Sequence, residues 1–379
     1  MDFEETRIQN ELRVLARRFV LKELAPIIQE DEKAEHFRPN LIRQMGELGL
    51  TGIPLPEHLG GSGLGFQDYI VALEEIAAVN LGYAVSVSVT GLTQMVLLLF
   101  GNAQQQEKYL PKLAKGHAIG AFSLSEAGSG SDPGSLRTTA QREGDHFLLQ
   151  GTKLWTTQGD LADVVIVLAR TADTGSRGIS AFIVEKGTPG FRYGKREKKM
   201  GWHTSHTMEL IFDQVKIPAG NLVGKLGEGF KIAMTALDSG RITISAGALG
   251  IARSALEIAV AHARQREQFG RPIADFQGVS FMLADMAVQL DAARLLVQRA
   301  AWKKDHSLPF TQEAAMAKLF ATDMAMKVTT DAVQILGGSG YTQEFPVERY
   351  MREAKALQIV EGTNQVQRMI IGKNLTTSV

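Results

Sequence analysis

The chain has 379 residues, with 41 lysines and arginines against 41 aspartates and glutamates and a formal net charge of +0 at pH 7. That length allows two or three domains of ordinary size, and 44% apolar with 22% charged residues sets aside a disordered or fibrous chain. Balanced charge without a long basic run leaves nucleic acid and anionic membrane without an electrostatic footprint, and the lack of cysteine removes disulfides, zinc–thiolate and iron–sulfur centres and a thiol nucleophile.

Residues 1 to about 120 read as helices, because ELRVLARRFV (11–20) and YIVALEEIA (69–77) repeat their apolar positions every three or four residues. Acids at Asp2, Glu4 and Glu5 fit neither a secretory leader nor a mitochondrial one. Apolar runs such as 95–100 and 164–169 fall far short of the roughly 20 residues a membrane span needs. A soluble cytoplasmic protein acting on small molecules is the expectation. Between the helices, PLPEHLGGSGLG (54–65) carries enough glycine and proline to be a loop.

From 121 to 226 the pattern changes to short β-like runs at 146–150, 163–170, 179–185 and 209–217. From 227 to 379 helical periodicity returns in four stretches, 228–268, 276–305, 311–336 and 346–373, broken at 270–272, 307–309 and 337–340. Short connections between long helices favour an antiparallel bundle. The predicted fold is therefore α+β in three domains: N-terminal helices, a middle β domain and a C-terminal four-helix bundle.

Several segments carry polar groups in patterns that suit a ligand. SLSEAGSGSD (123–132) combines glycines, whose backbone N–H groups a ligand can approach, with hydroxyl donors, and reads either as a cradle for phosphate or flavin oxygens or as an inter-domain linker. It lacks the βαβ setting of a dinucleotide fingerprint. Trp155 beside Thr156 and Thr157 reads either as a core tryptophan or as one that stacks on a planar ring. Arg266, Phe269 and Gln277, and the run 334–338, lie at helix ends, where ordinary capping and anion binding look alike. Asp238 and Arg241 share one helix face as an ion pair or a clamp. In IVEGTNQVQR (359–368), Glu361 and Gly362 interrupt a helical region. The scattered histidines suggest no metal site.

In this order and spacing SLSEAGSGSD, KLWTTQGD, REQFGRPIADFQ, QILGGSGYTQEFPVERYMREAK and IVEGTNQVQR resemble the acyl-CoA dehydrogenases over essentially the whole chain. The resemblance implies a β-barrel-like middle domain, a homotetramer, and FAD held by Phe122, Leu124, Ser125, Gly130, Ser131, Trp155, Thr156 and Thr157. It implies that Arg266, Phe269, Gln277 and the run Gln334, Ile335, Leu336, Gly337 and Gly338 reach the FAD of a neighbouring subunit, with Thr363, Asn364 and Gln365 completing the flavin site. Ser131, Asp238, Arg241 and Gly362 would contact the acyl-CoA substrate. Glu361 would be the base that removes the α-proton, and electrons would pass to an electron-transfer flavoprotein.

Some relatives carry the base immediately before the arginine of the 238–241 segment, where this chain has Gly240. Gln158, Lys373 and the pair Trp202 and His203 depart from the commoner family pattern. An acyl-CoA oxidase, passing electrons to dioxygen, and a non-catalytic flavin or CoA-binding scaffold are the rival expectations.

Overall fold

A computed structural model describes residues 4–377, so Asp2 lies outside the described residues. The N-terminal helices are α1 (Arg7–Phe19), α2 (Ile28–Ala34), α3 (Pro39–Glu47), α4 (Phe66–Val79), α5 (Leu81–Phe100) and α6 (Ala103–Ala114). Thr6 starts α1 with a capping box to Gln9, satisfying two N-terminal N–H groups. Asn80, in an extended conformation, ends α4 and caps α5 by accepting from the Tyr83 N–H at 3.0 Å. Helix α5 is long and apolar enough to cross a membrane by length and composition alone, although polar residues interrupt its apolar runs. Its apolar surface is instead buried within the protein, making it the central helix of a core.

The middle domain is one eight-stranded sheet: β1 (Gly120–Ser123), β2 (Thr139–Glu143), β3 (His146–Thr157), β4 (Val164–Arg170), β5 (Ile179–Glu185), β6 (Phe191–Arg196), β7 (Thr207–Pro218) and β8 (Leu222–Val223). Hydrogen-bonded neighbours run β6-β7-β3-β2-β4-β5-β8, with β1 parallel to β4. Strand β3 continues seven residues beyond the run read from the sequence, because a register shift between Lys153 and Thr156 lets it pass Trp155 at φ 64° without losing β7. Strands β1, β2 and β6 were missed: β1 is short and β2 and β6 are polar, so none shows a period-two pattern of its own.

The C-terminal domain holds α7 (Gly229–Gln265), a small hairpin of β9 (Glu267–Gln268) and β10 (Arg271–Pro272), then α8 (Gln277–Asp305), α9 (Thr311–Leu336), α10 (Val347–Leu357) and α11 (Asn364–Thr377). The expected single helix over 346–373 is thus two helices separated by a turn that carries Glu361. Helix α7 packs on α4, where a Cβ at Gly250 would strike the Glu74 carbonyl. Glu74 and Glu75, buried on α4, join the helical domains: Arg253 of α7 reaches them at 3.0 and 2.9 Å, Arg294 of α8 reaches Glu74 at 2.7 Å, and Arg17 of α1 reaches Glu75 at 2.9 Å. Burial opposes ionisation of Glu75, but Arg17, Arg253 and Arg13 of α1, which also pairs with it, outweigh that and hold its carboxyl below the usual range.

Candidate active site

Helix α10 ends at Leu357 and the chain restarts as α11 at Asn364. Between them Glu361 (φ 56°) and Gly362 (φ 85°) are both left-handed, a conformation that costs a non-glycine residue energy and persists only when its surroundings enforce it. Here they do. The Glu361 carbonyl accepts from Gln367 Nε2 at 3.1 Å and Arg241 Nε at 3.4 Å, and the Gly362 carbonyl from Gln367 Nε2 at 2.8 Å and Lys318 Nζ at 3.0 Å. Asp323 ties both ends of the turn, accepting from Gln358 Nε2 at 2.7 Å and Asn364 Nδ2 at 2.6 Å.

The Glu361 side chain points back toward α7. Its Oε2 is buried with no hydrogen-bond partner, and a Cβ placed on Gly240 would lie 2.5 Å from that oxygen and 3.0 Å from Leu92 Cδ1 of α5. Glycine at 240 is therefore a steric requirement of this carboxylate, which reaches that place from the α10–α11 turn. Burial pushes the Glu361 carboxyl up to about 7, against the opposing pull of Arg241 and Lys318. A carboxyl pushed toward neutrality by burial suits proton abstraction. Among the described residues nothing accepts from the Glu361 N–H, leaving a donor beside the carboxylate.

Asp238 and Arg241 form the ion pair the spacing suggested. Both Asp238 oxygens are engaged within the chain, the second accepting from Thr311 Oγ1 at 2.6 Å; Asp238 holds Arg241, which in turn touches the turn that carries Glu361. Asn364 is likewise spent within the chain: Oδ1 accepts from Lys318 at 2.8 Å and Nδ2 donates to Thr322 and Asp323, so its side chain braces the turn and has nothing to offer a cofactor. Gly362, Thr363 and Gln365 lie beside it, with Gln365 exposed. Sequence reasoning missed Lys318, Gln367, Thr322 and Asp323. The available signal was one lysine inside the apolar helical run 314–321, where a charge is costly to bury.

The second constellation joins the loop after β1 to the end of β3. Glu126 accepts from the Arg137 and Thr138 N–H groups at 2.7 and 2.9 Å and from Lys153 Nζ at 2.7 Å, while Lys153 also donates to the Leu124 carbonyl at 2.9 Å. Burial pushes the Lys153 ammonium down to about 8, with Glu126 resisting. This buried pair fixes an otherwise irregular loop. Nothing lies within 4 Å of a Cβ built on Gly128 or Gly130, so the loop backbone is open to a ligand. Trp155 is 58% exposed, which excludes the core reading. Phe122 and Leu124 flank it, half-buried. Among the described residues the hydroxyls of Ser125, Ser131 and Thr157 make no hydrogen bond. Open backbone, an exposed indole and free hydroxyls fit a flat polar cofactor. Thr156 does not belong to that set: it is buried, and its hydroxyl pairs with Ser123 Oγ at 2.8 Å inside the sheet.

A third group lies far away. Arg266 follows the last residue of α7, and the 25 residues separating it from Arg241 span about 37 Å of helix. Arg266 and Gln277 are exposed, and Phe269 is 94% exposed. Gln334, Gly337 and Gly338 are exposed at the end of α9, whereas the side chains of Ile335 and Leu336 pack in the core, leaving only their backbone to offer a ligand. Arg266 therefore lies at the opposite end of α7 from the residue that touches the α10–α11 turn.

Three family models cover the chain in order: the acyl-CoA dehydrogenase N-terminal domain over residues 6–117, the middle domain over 121–215 and the C-terminal domain over 227–376. The chain belongs to the acyl-CoA dehydrogenase family. An acyl-CoA dehydrogenase of Bacillus subtilis (strain 168) is 52% identical over 372 residues, covering 98% of each chain. The structure superposes on that of butyryl-CoA dehydrogenase from Megasphaera elsdenii with a TM-score of 0.98 at 48% identity, covering 99% of this chain and 100% of that one. A chain from the structure of the electron transferring flavoprotein of Acidaminococcus fermentans matches equally, at TM-score 0.98 and 49% identity over 100% of both chains. The protein is thus an FAD-dependent oxidoreductase of acyl-CoA thioesters, with the three-part fold that the resemblance implied.

Proposed function

We propose that the protein converts a short-chain acyl-CoA to its trans-2-enoyl-CoA with Glu361 as the base. The observation that carries this reading is the unpartnered, buried Glu361 Oε2, held on a doubly left-handed turn and aimed at Gly240. The ionised carboxylate takes the α-proton as the Cα–H bond breaks. The free Glu361 N–H is a fixed donor for charge developing on the thioester oxygen, where an oriented dipole in a water-poor site is worth most. Arg241 holds the Glu361 carbonyl and so braces the turn that carries this N–H. FAD, when bound at the Trp155 and 123–132 surface, supplies the acceptor for the β-hydride. Ser125, Ser131 and Thr157 would hold it with their free hydroxyls and Gly130 by close backbone approach.

The short-chain preference is supported by the likeness to butyryl-CoA dehydrogenase. An electron-transfer flavoprotein is the proposed acceptor, supported by the Acidaminococcus fermentans match. Assembly as a homotetramer is supported by the exposed apolar stripe of Phe281, Val288 and Leu295, seven residues apart on α8, and by the distance of Arg266 and Gln277 from their own site. Those residues would serve a neighbour's FAD.

The test is anaerobic mixing of the purified yellow protein with a panel of acyl-CoA thioesters. Rapid bleaching by butyryl-CoA with formation of crotonyl-CoA is the expected result. Failure of every acyl-CoA to bleach bound flavin would leave only a scaffold, and fast peroxide formation in air would make it an oxidase.

A further inference from the structure

Lys318 is a buried charge that the reaction described above does not use. It lies on α9 with its side chain fully buried, and no carboxylate is within ion-pair distance of its Nζ among the described residues. An ammonium taken out of water without a contacting counter-ion is costly, and such groups are found where they serve a purpose. Its two acceptors are specific: the Gly362 carbonyl at 3.0 Å and Asn364 Oδ1 at 2.8 Å. Asn364 is the first residue of α11, and Gly362 is the second of the two left-handed residues. The lysine therefore bridges the base-bearing turn and the helix that follows it.

Accepting the reading of Glu361 as the base, we infer that Lys318 is a positioning residue for proton abstraction, which clamps the Glu361–Gly362 turn from α9 and faces the carboxylate with a positive charge. Each half of this role has its own physical support. The clamp fixes the plane of the peptide after Gly362. Gln367, with its Nε2 shared between the carbonyls of 361 and 362, fixes the one before it. Without the ammonium the Gly362 carbonyl keeps one of its two donors and Asn364 Oδ1 keeps only the Thr322 hydroxyl, at 3.2 Å. The turn stays but its aim loosens.

The electrostatic half follows from the groups that face Lys318. These are Glu361 in the turn, Arg241 on α7 and Asp323 on α9; burial and Arg241 depress its affinity for a proton to about 7, while Glu361 and Asp323 oppose them. Glu361 is in turn pulled toward ionisation by Arg241 and Lys318. Arg241 already shares its charge with Asp238, so the lysine is the cation near the base that has no contacting anion of its own. A charge in that place favours the ionised base before the reaction and is left without its partner once the base has taken a proton.

Two variants separate the halves. Lys318→Met removes clamp and charge; Lys318→Gln keeps a donor for the Gly362 carbonyl and removes the charge. Both are prepared as holoenzyme and mixed anaerobically with butyryl-CoA across pH 5.5 to 9.5, reading flavin reduction, dissociation constant, FAD content and exchange of the substrate α-hydrogen with deuterium oxide. For Lys318→Met the expectation is a loss of about a hundredfold in limiting reduction rate and in α-exchange, the order expected for a misplaced catalytic group, with acyl-CoA affinity changed only a few-fold. For Lys318→Gln the acid limb of the rate profile should move up by about one pH unit or more, with much of the rate recovered at pH 9.5. Coincident acid limbs in Lys318→Gln and wild type would overturn the inference, as would a Lys318→Met enzyme that is less stable yet reduces at the normal rate. If Lys318→Met does not accumulate folded, the position of the acid limb in Lys318→Gln decides alone. The underlying reading fails separately, through a Glu361→Gln enzyme that still exchanges the α-hydrogen.

Discussion

Replacing Gly240 by alanine should disable the enzyme without emptying its cofactor site. The added methyl would sit 2.5 Å from Glu361 Oε2, 2.8 Å from its Cδ and 3.0 Å from Leu92 Cδ1. Ordinary contact distances require the carboxylate to retreat by roughly an ångström, and a displacement of that size at a reacting group costs on the order of a hundredfold in rate. Overpacking adds about 1–3 kcal/mol of destabilisation. Gly247→Ala is the matched control, since its new methyl meets only the mobile end of Leu81, at 2.9 Å. Stopped-flow bleaching with butyryl-CoA, visible absorbance for FAD content and a thermal midpoint measure all three quantities. The expected pattern is normal FAD in both variants, a stability loss in both and a large rate loss in Gly240→Ala alone. Equal rates in the two variants would show that the carboxylate does not need the space above residue 240, and would refute the reasoning.

Glu361 should also cost the fold stability. With its folded value raised to about 7 against an ordinary 4.5, Glu361 destabilises the protein progressively as pH rises from about 4.5 through 7 and contributes no penalty below that window, so Glu361→Gln should raise the thermal midpoint at pH 8 and leave it unchanged at pH 4.5. The gain is at most about 3 kcal/mol. Glutaryl-CoA should be turned over far more slowly than butyryl-CoA, because the family resemblance implies an arginine after the Gly82–Tyr83 pair in glutaryl-using members, where this chain has Ala84 and would leave the distal carboxylate unpaired; comparable steady-state rates would contradict this. Arg266→Ala should lose FAD and assembly together, read by absorbance and light scattering, since the exposed end of α7 lies about 37 Å from Arg241 of its own chain.

How much of this was legible beforehand follows from where each signal lives. The three zones showed themselves because long helices with apolar stripes and a run of β-branched strands leave periodic traces, as in β4 and β5. Strand β2 did not, because four of its five residues are exposed and it is recognisable only from its pairing with β3. The break before α11 was visible as Glu361 and Gly362, but the groups that hold it were not: Lys318 and Asp323 lie about forty residues away, and a hydrogen bond across that separation has no local signature. The same limit applies to individual side chains. Those of Thr156, Ile335, Leu336 and Asn364 turn inward within their segments, because side chains in a strand or helix alternate in direction, so a motif names a stretch without saying which members face outward. Gly240 was noticed as the absence of a second base; only the fold shows that it must be small because Glu361 occupies its space.

The most direct measurement of the central claim is the limiting rate of anaerobic flavin reduction by butyryl-CoA in Glu361→Gln. The substitution preserves size and the backbone N–H while removing the proton acceptor. FAD content and acyl-CoA binding should match wild type, and reduction should fall by at least the roughly 10²–10⁴-fold typical of a lost general base. A rate within a few-fold of wild type, in a variant that keeps its flavin, would contradict the account and place the base elsewhere.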